Sequence, residues 1–164
     1  MNRARGFTLV EMMVVVFIIA ILAVMGFPAM NRMMSTAAVR STSYDLFADL
    51  VYARSEAITR GTNVSITGTG SPATNWKKGY RITEAAGGTT LREVFERTDD
   101  RISFTASQDT VTFDRSGRAQ NAAAVSFAIT PSGDYDTHTI QAHQQRCVKL
   151  DPSGRPRSAE GVCS

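Results

Sequence analysis

Charge is missing from one long stretch of this 164-residue chain: between Met12 and Met30 no side chain is ionisable or strongly polar. Chemistry-bearing residues are scarce elsewhere, with two histidines, two cysteines and one tryptophan. No nucleophile motif and no phosphate-cradling glycine loop is present. His138 and His143, near Asp134 and Asp136, lack a third ligand at a convincing spacing, so neither a metal site nor an acid–base site is expected. Cys147 and Cys163 have no second thiol pair and fall short of a structural zinc set. Catalysis and cofactor binding are therefore not expected. The net charge of +3 makes no case for nucleic acid by itself. Glu93, Glu96, Asp99 and Asp100 alternate with Arg92, Arg97 and Arg101, the pattern of a solvated face.

The uncharged stretch is 19 residues long, close to the roughly 20 that an α-helix needs to cross a bilayer core. Basic residues precede it, and it is longer than the apolar part of a cleavable secretory signal. It is expected to be a retained anchor, with Arg3 and Arg5 holding the N-terminus cytoplasmic and the remainder periplasmic or beyond. Gly26 and Pro28 predict a kink or local melting near residues 24–28. Glu11, at the mouth of the run, is an anomaly. A carboxylate costs about 2.5–3.5 kcal/mol at the centre of a membrane helix, less near its end, and such a group usually has a partner.

Arg5-Gly6-Phe7-Thr8-Leu9-Val10-Glu11 resembles the cleavage and methylation motif of type IV pilins and type II secretion pseudopilins. The resemblance implies a leader, residues 1–6, removed by prepilin peptidase between Gly6 and Phe7. Phe7 would then be N-methylated, and Glu11 would offset the ammonium of a neighbour's first residue in a filament. Losing Arg3 and Arg5 with the leader lowers the side-chain charge from +3 to +1.

Beyond the anchor, residues 7–31, apolar positions Val39, Leu46, Phe47, Leu50, Val51, Ala57 and Ile58 recur at spacings of three, four and seven. They predict an amphipathic helix over 32–60, with Gly61 as its stop. Were 8–60 one helix, it would be about 80 Å long. After Gly61 the period shortens towards two: Asn63–Thr67, Gly79–Glu84, Thr90–Phe95, Arg101–Thr105, Thr110–Asp114 and Val125–Thr130 read as strands. Residues 68–75 read as a loop, and Trp76 as a partly buried packing residue. The expected fold is α+β, a long N-terminal helix packed on an antiparallel β-sheet head, residues 61–164.

Two pieces share the form apolar, Asp, x, Ser, Gly, Arg: residues 113–118 and 150–155. Asp and Ser favour local side-chain to backbone bonds and Gly supplies positive φ, so both read as hairpin tips. In the exported compartment Cys147 and Cys163 are expected to form a disulfide, which closes a short loop and stabilises by about 3 kcal/mol. Arg146, Lys149, Arg155 and Arg157 crowd this hairpin, opposed there only by Asp151. Such a patch suits the backbone of duplex DNA, bound without sequence preference and with strong salt dependence; it equally suits a solvated basic turn.

The first turn resembles one recurrent in the GspH/FimT branch of minor pilins and pseudopilins. Gly154-Arg155-Pro156-Arg157 resembles the GRxR motif of DNA-binding FimT-type minor pilins, with proline at the x position. Together these resemblances identify the chain as a GspH/FimT/FimU-type minor pilin. They imply an inner-membrane precursor that joins a pilus with other minor and major pilins, primes assembly near the tip and captures double-stranded DNA for natural transformation. Two rivals stay open: a minor pseudopilin of a type II secretion system, and an anchored periplasmic protein outside any filament.

Overall fold

The computed structural model describes residues 7–70, 72, 74–85, 88–95, 101–120, 124–132 and 144–163, with the main chain alone at 25–29. His138, His143, Asp134 and Asp136 lie outside the described residues, as does most of the acidic–basic run after Phe95. Helix α1 spans Leu9–Arg60 without a break at Gly26 or Pro28, so no melting occurs there. The chain divides into two compact units, residues 1–34 and 35–164.

In the first unit α1 opens on a capping box. The Glu11 N–H donates to Thr8 Oγ1 at 3.2 Å, while the Thr8 N–H donates back to Glu11 Oε2 at 3.4 Å. Each side-chain oxygen thus accepts from a main-chain N–H that the start of a helix leaves without an intrahelical partner. Apolar side chains from Leu9 to Val24 are exposed. Among the described residues no helix is long and apolar enough to cross a membrane. The run from Met12 to Met30 passes through 25–29, whose side chains are not described.

The second unit holds the core. Residues 35–60 of α1 bury Val39, Leu46, Leu50, Ala53 and Ala57, positions one helical face apart. The buried stripe is rotated from the expected one. Val51 and Ile58 are exposed and Phe47 is only half-buried, whereas Thr42, Ser43 and Asp49 are buried. Polar partners from distant strands cause the rotation. The Tyr80 hydroxyl donates to Asp49 Oδ2 at 2.6 Å, the Arg92 guanidinium donates to Asp49 Oδ1, and the Ser43 and Ser158 hydroxyls meet at 3.0 Å. A buried carboxylate is tolerated only with such donors. The helix ends where expected, at Gly61 with φ +64°, and Arg60 pairs with Glu56 at 2.6 Å.

Among the described residues eight strands follow: β1 (Val64–Gly68), β2 (Gly79–Glu84), β3 (Thr90–Phe95), β4 (Ile102–Ala106), β5 (Thr110–Phe113), β6 (Val125–Pro131), β7 (Arg146–Leu150) and β8 (Pro156–Glu160). They form two antiparallel four-stranded sheets, in the orders β3-β2-β1-β5 and β4-β6-β7-β8, rather than one. Alternation of buried and half-buried residues along β1 and the first five residues of β6 gives each sheet one inner face. Val64, Ile66, Ile82, Val111 and Phe113 of the first sheet share a core with Ile102, Phe104, Phe127, Ile129, Val148 and Leu150 of the second. Trp76, in a single 3-10 turn ahead of β2, is fully buried rather than partly so. Its ring centroid lies 5.4 Å from Tyr80, 6.1 Å from Phe104 and 4.9 Å from Phe127.

Cys147 and Cys163 are joined by a disulfide, their Cα atoms 5.2 Å apart. It fastens the segment after β8 to β7. Reduction is expected to cost about 3 kcal/mol by the chain-entropy relation for a loop of this size; chemical denaturation with and without reductant measures it.

Candidate functional site

Two regions carry the expected sites. At the N-terminal end, Gly6 lies outside the described residues and Phe7 is 73% exposed. The Glu11 carboxylate serves the capping box, a use that the T-x-x-E pattern Thr8–Glu11 already encoded. Its charge also sits in the first turn, where the helix dipole favours an anion.

The second region is the β7–β8 hairpin and the turn beneath it. Leu150 pairs with Pro156, and the Gly154 N–H donates to the Asp151 carbonyl at 2.8 Å while the Asp151 N–H donates to the Arg155 carbonyl at 3.2 Å. The similar segment after β5 repeats this arrangement: Gly117 N–H to the Asp114 carbonyl, 2.8 Å, and Asp114 N–H to the Arg118 carbonyl, 2.9 Å. Gly154 and Gly117 have φ values of +73° and +75°, which only glycine adopts without strain. The first tip is short, closing on an isolated Phe113–Ala119 bridge instead of a second strand. Asp114 Oδ1 accepts from the Ser116 hydroxyl at 2.6 Å and from the Arg118 N–H at 3.0 Å, and these bonds hold its carboxyl below the usual carboxylate range, the Ser116 side-chain bond foremost.

The two tips stack. Ala119 N–H donates to the Pro152 carbonyl at 3.1 Å, and a Cβ on Gly154 would fall 2.0 Å from the Gly117 carbonyl oxygen. Gly117 in turn rests on α1, where a Cβ would fall 2.6 Å from Ile58 Cδ1 and 3.0 Å from Arg54 Nε.

The structure brings together three of the four expected basic residues and separates the fourth. Lys149 and Arg157 are direct cross-strand partners and so share a face, and Arg155 is exposed at the tip beside them. Arg157 is 77% exposed and pairs with Asp151 at 3.1 Å. Arg146 alternates with Lys149 along β7 and lies on the face of buried Val148 and Leu150. It is 16% exposed and pairs with Glu160 at 2.8 Å. Sequence spacing counted basic residues without the pleat, which sends odd and even positions to opposite faces. Arg54, Arg115 and Arg118 were not counted, although Arg118 and Arg155 end the same repeated motif. Among the described residues no group of three His, Cys, Asp or Glu could hold a metal ion.

A family model described as Type II transport protein GspH matches residues 43–154, and one described as the prokaryotic N-terminal methylation motif matches residues 1–27. No curated protein sequence matches. Among solved structures the chain is similar to the type IV minor pilin FimU of Pseudomonas aeruginosa in two crystal forms. One is 24% identical, covers 74% of this chain and 87% of that one, and has a TM-score of 0.62. The other is 25% identical, with coverage of 73% and 91% and a TM-score of 0.59. The fold is also that of the minor pseudopilin EpsH from the Type 2 Secretion System of Vibrio cholerae, at 12% identity, 74% and 96% coverage and a TM-score of 0.54.

Proposed function

The chain belongs to the GspH family, and from that premise we propose that it is a minor type IV pilin: cleaved by prepilin peptidase after Gly6, methylated on Phe7, anchored in the inner membrane and drawn into a pilus, where it primes assembly near the tip with other minor and major pilins. The observation that carries this reading is the methylation motif set at the start of α1, ahead of a GspH-type head. The role is structural. A pseudopilin of a secretion system shares both features, so the deciding phenotype is which machine fails: loss of twitching with secretion intact in a deletion strain supports the pilus, and the reverse assigns the chain to secretion.

Glu11 has two candidate duties, and two substitutions separate them. Glu11→Gln keeps an acceptor for the Thr8 N–H but removes the charge; Glu11→Ala removes both. Both variants are expected to be cleaved, shown by a size shift that disappears in a peptidase-deficient strain, and both to be lost from sheared filaments. Normal incorporation of Glu11→Gln would reduce Glu11 to a helix cap.

A second reading is favoured by a specific observation: Lys149 and Arg157 pair directly across a disulfide-held hairpin with Arg155 exposed at its tip. It is non-specific binding of double-stranded DNA through phosphate contacts, in the service of transformation. Salt-dependent binding of duplex DNA, weakened by the double variant Arg155→Ala and Arg157→Ala, tests it.

A further inference from the structure

The stack of the two turns joins residues that the hairpin reading leaves out. Gly154 lies against the carbonyl of Gly117, so Arg155 adjoins the turn that carries Arg115 and Arg118. A Cβ on Gly154 would come within 3.3 Å of the Arg118 Cα, so the two motif-ending arginines spring from main chain in direct contact. Arg115, Arg118 and Arg155 are all exposed. Beneath them Arg54 reaches from α1 to Gly117, and its Nε is buried with no hydrogen-bond partner. Two carboxylates adjoin this cluster. Asp114 is committed to Ser116 and the Arg118 main chain, and Asp151 faces Arg157. Among the described residues no acid pairs with Arg54, Arg115 or Arg155.

We infer that the two stacked turns form one anion-binding site, in which Arg115 and Arg118 contact the sugar-phosphate backbone of duplex DNA together with Arg155. The inference rests on the DNA-binding reading and extends its contact surface from the hairpin to the turn after β5. Guanidinium forks match phosphate oxygens in pairs and bind them without reference to base sequence. Arg54 contributes charge from below and packs against Gly117 on the inner side of the first turn, so it is a positioning residue. The contact between the turns, not either turn alone, sets the spacing of the cations. That is the physical use of having the same five-residue motif twice.

The test measures binding of the full chain, in neutral detergent, to a short duplex of arbitrary sequence over a series of salt concentrations. Three double variants are compared with the parent: Arg115→Ala with Arg118→Ala, Arg155→Ala with Arg157→Ala, and Lys77→Ala with Lys78→Ala. The lysines lead into β2 near Gly68, at the opposite end of the first sheet from Val64 and Phe113, and control for lost net charge. Each lost phosphate contact lowers the slope of log affinity against log salt by about 0.9, so the first two variants are each expected to lose a slope of about 2 while the lysine variant keeps the parent slope. If the Arg115/Arg118 variant matches the parent while the Arg155/Arg157 variant weakens, the composite site is overturned and hairpin binding stands. If the lysine variant weakens as much as the Arg115/Arg118 variant, the effect is net charge and the composite site is again overturned. If the parent does not bind at low salt, both readings fall.

Discussion

Gly154→Ala is expected to destabilise the head by roughly 2–5 kcal/mol, the sum of about 1–2 kcal/mol for a left-handed non-glycine residue and about 1–3 kcal/mol for overpacking. The second part exists because of what the methyl group would meet. It would lie 2.0 Å from the Gly117 carbonyl oxygen, and both sides of that contact are main chain held by turn hydrogen bonds. No flexible side chain can yield. Gly161→Ala is the comparator, since Gly161 has φ +106° and nothing within 4 Å of the added atom. It bears backbone strain without the clash. Chemical denaturation of both variants should therefore show Gly154→Ala unfolding at distinctly lower denaturant. Equal midpoints would mean that the turns do not touch in solution, and would remove the basis for a shared cation cluster.

Phe127→Ala is expected to cost about 3–5 kcal/mol, the usual range for emptying a buried phenyl site. Phe127 sits in the middle of β6, paired across to Ala106 on one side and Val148 on the other, and no part of it is exposed. Its ring meets Trp76 edge to face at 4.9 Å, which adds to the loss beyond buried area. Neighbouring strands fix the main chain on both sides, so the cavity has little freedom to collapse. Phe95→Ala provides the contrast. Phe95 ends the edge strand β3 and is 76% exposed, so its truncation should change the denaturation midpoint little. A loss at Phe127 of under about 1 kcal/mol would contradict the shared two-sheet core, because surface substitutions fall in that range.

What could be read from the sequence followed local rules. β2 and β3 were bounded correctly because Gly79 and Thr90 follow turn-rich segments and because alternation begins there. Gly61 ended the helix as its lack of a Cβ allows. The repeated Asp-x-Ser-Gly-Arg motif did give two similar tight turns. The misses depended on partners far along the chain. Asp49 is buried because Tyr80 and Arg92, 31 and 43 residues away, donate to it, and periodicity alone counts an aspartate as outward-facing. The split into two sheets turns on β5 returning to pair with β1 while β4 joins β6, a crossover that alternation within a strand does not encode. Arg146 was grouped with Lys149 by proximity in sequence, and the pleat placed them on opposite faces. The stacking of the two turns was likewise invisible, although the motif that permits it was on view.

Trp76 has a use unconnected with filaments or DNA. It is the single indole in the chain, it lies fully buried, and its ring touches Tyr80 from one sheet and Phe104 and Phe127 from the other. The protein thus carries an intrinsic optical gauge at the seam between its sheets. Light absorbed at the red edge of the aromatic band reports on that seam alone, with an emission colour set by whether the two layers stay closed against water.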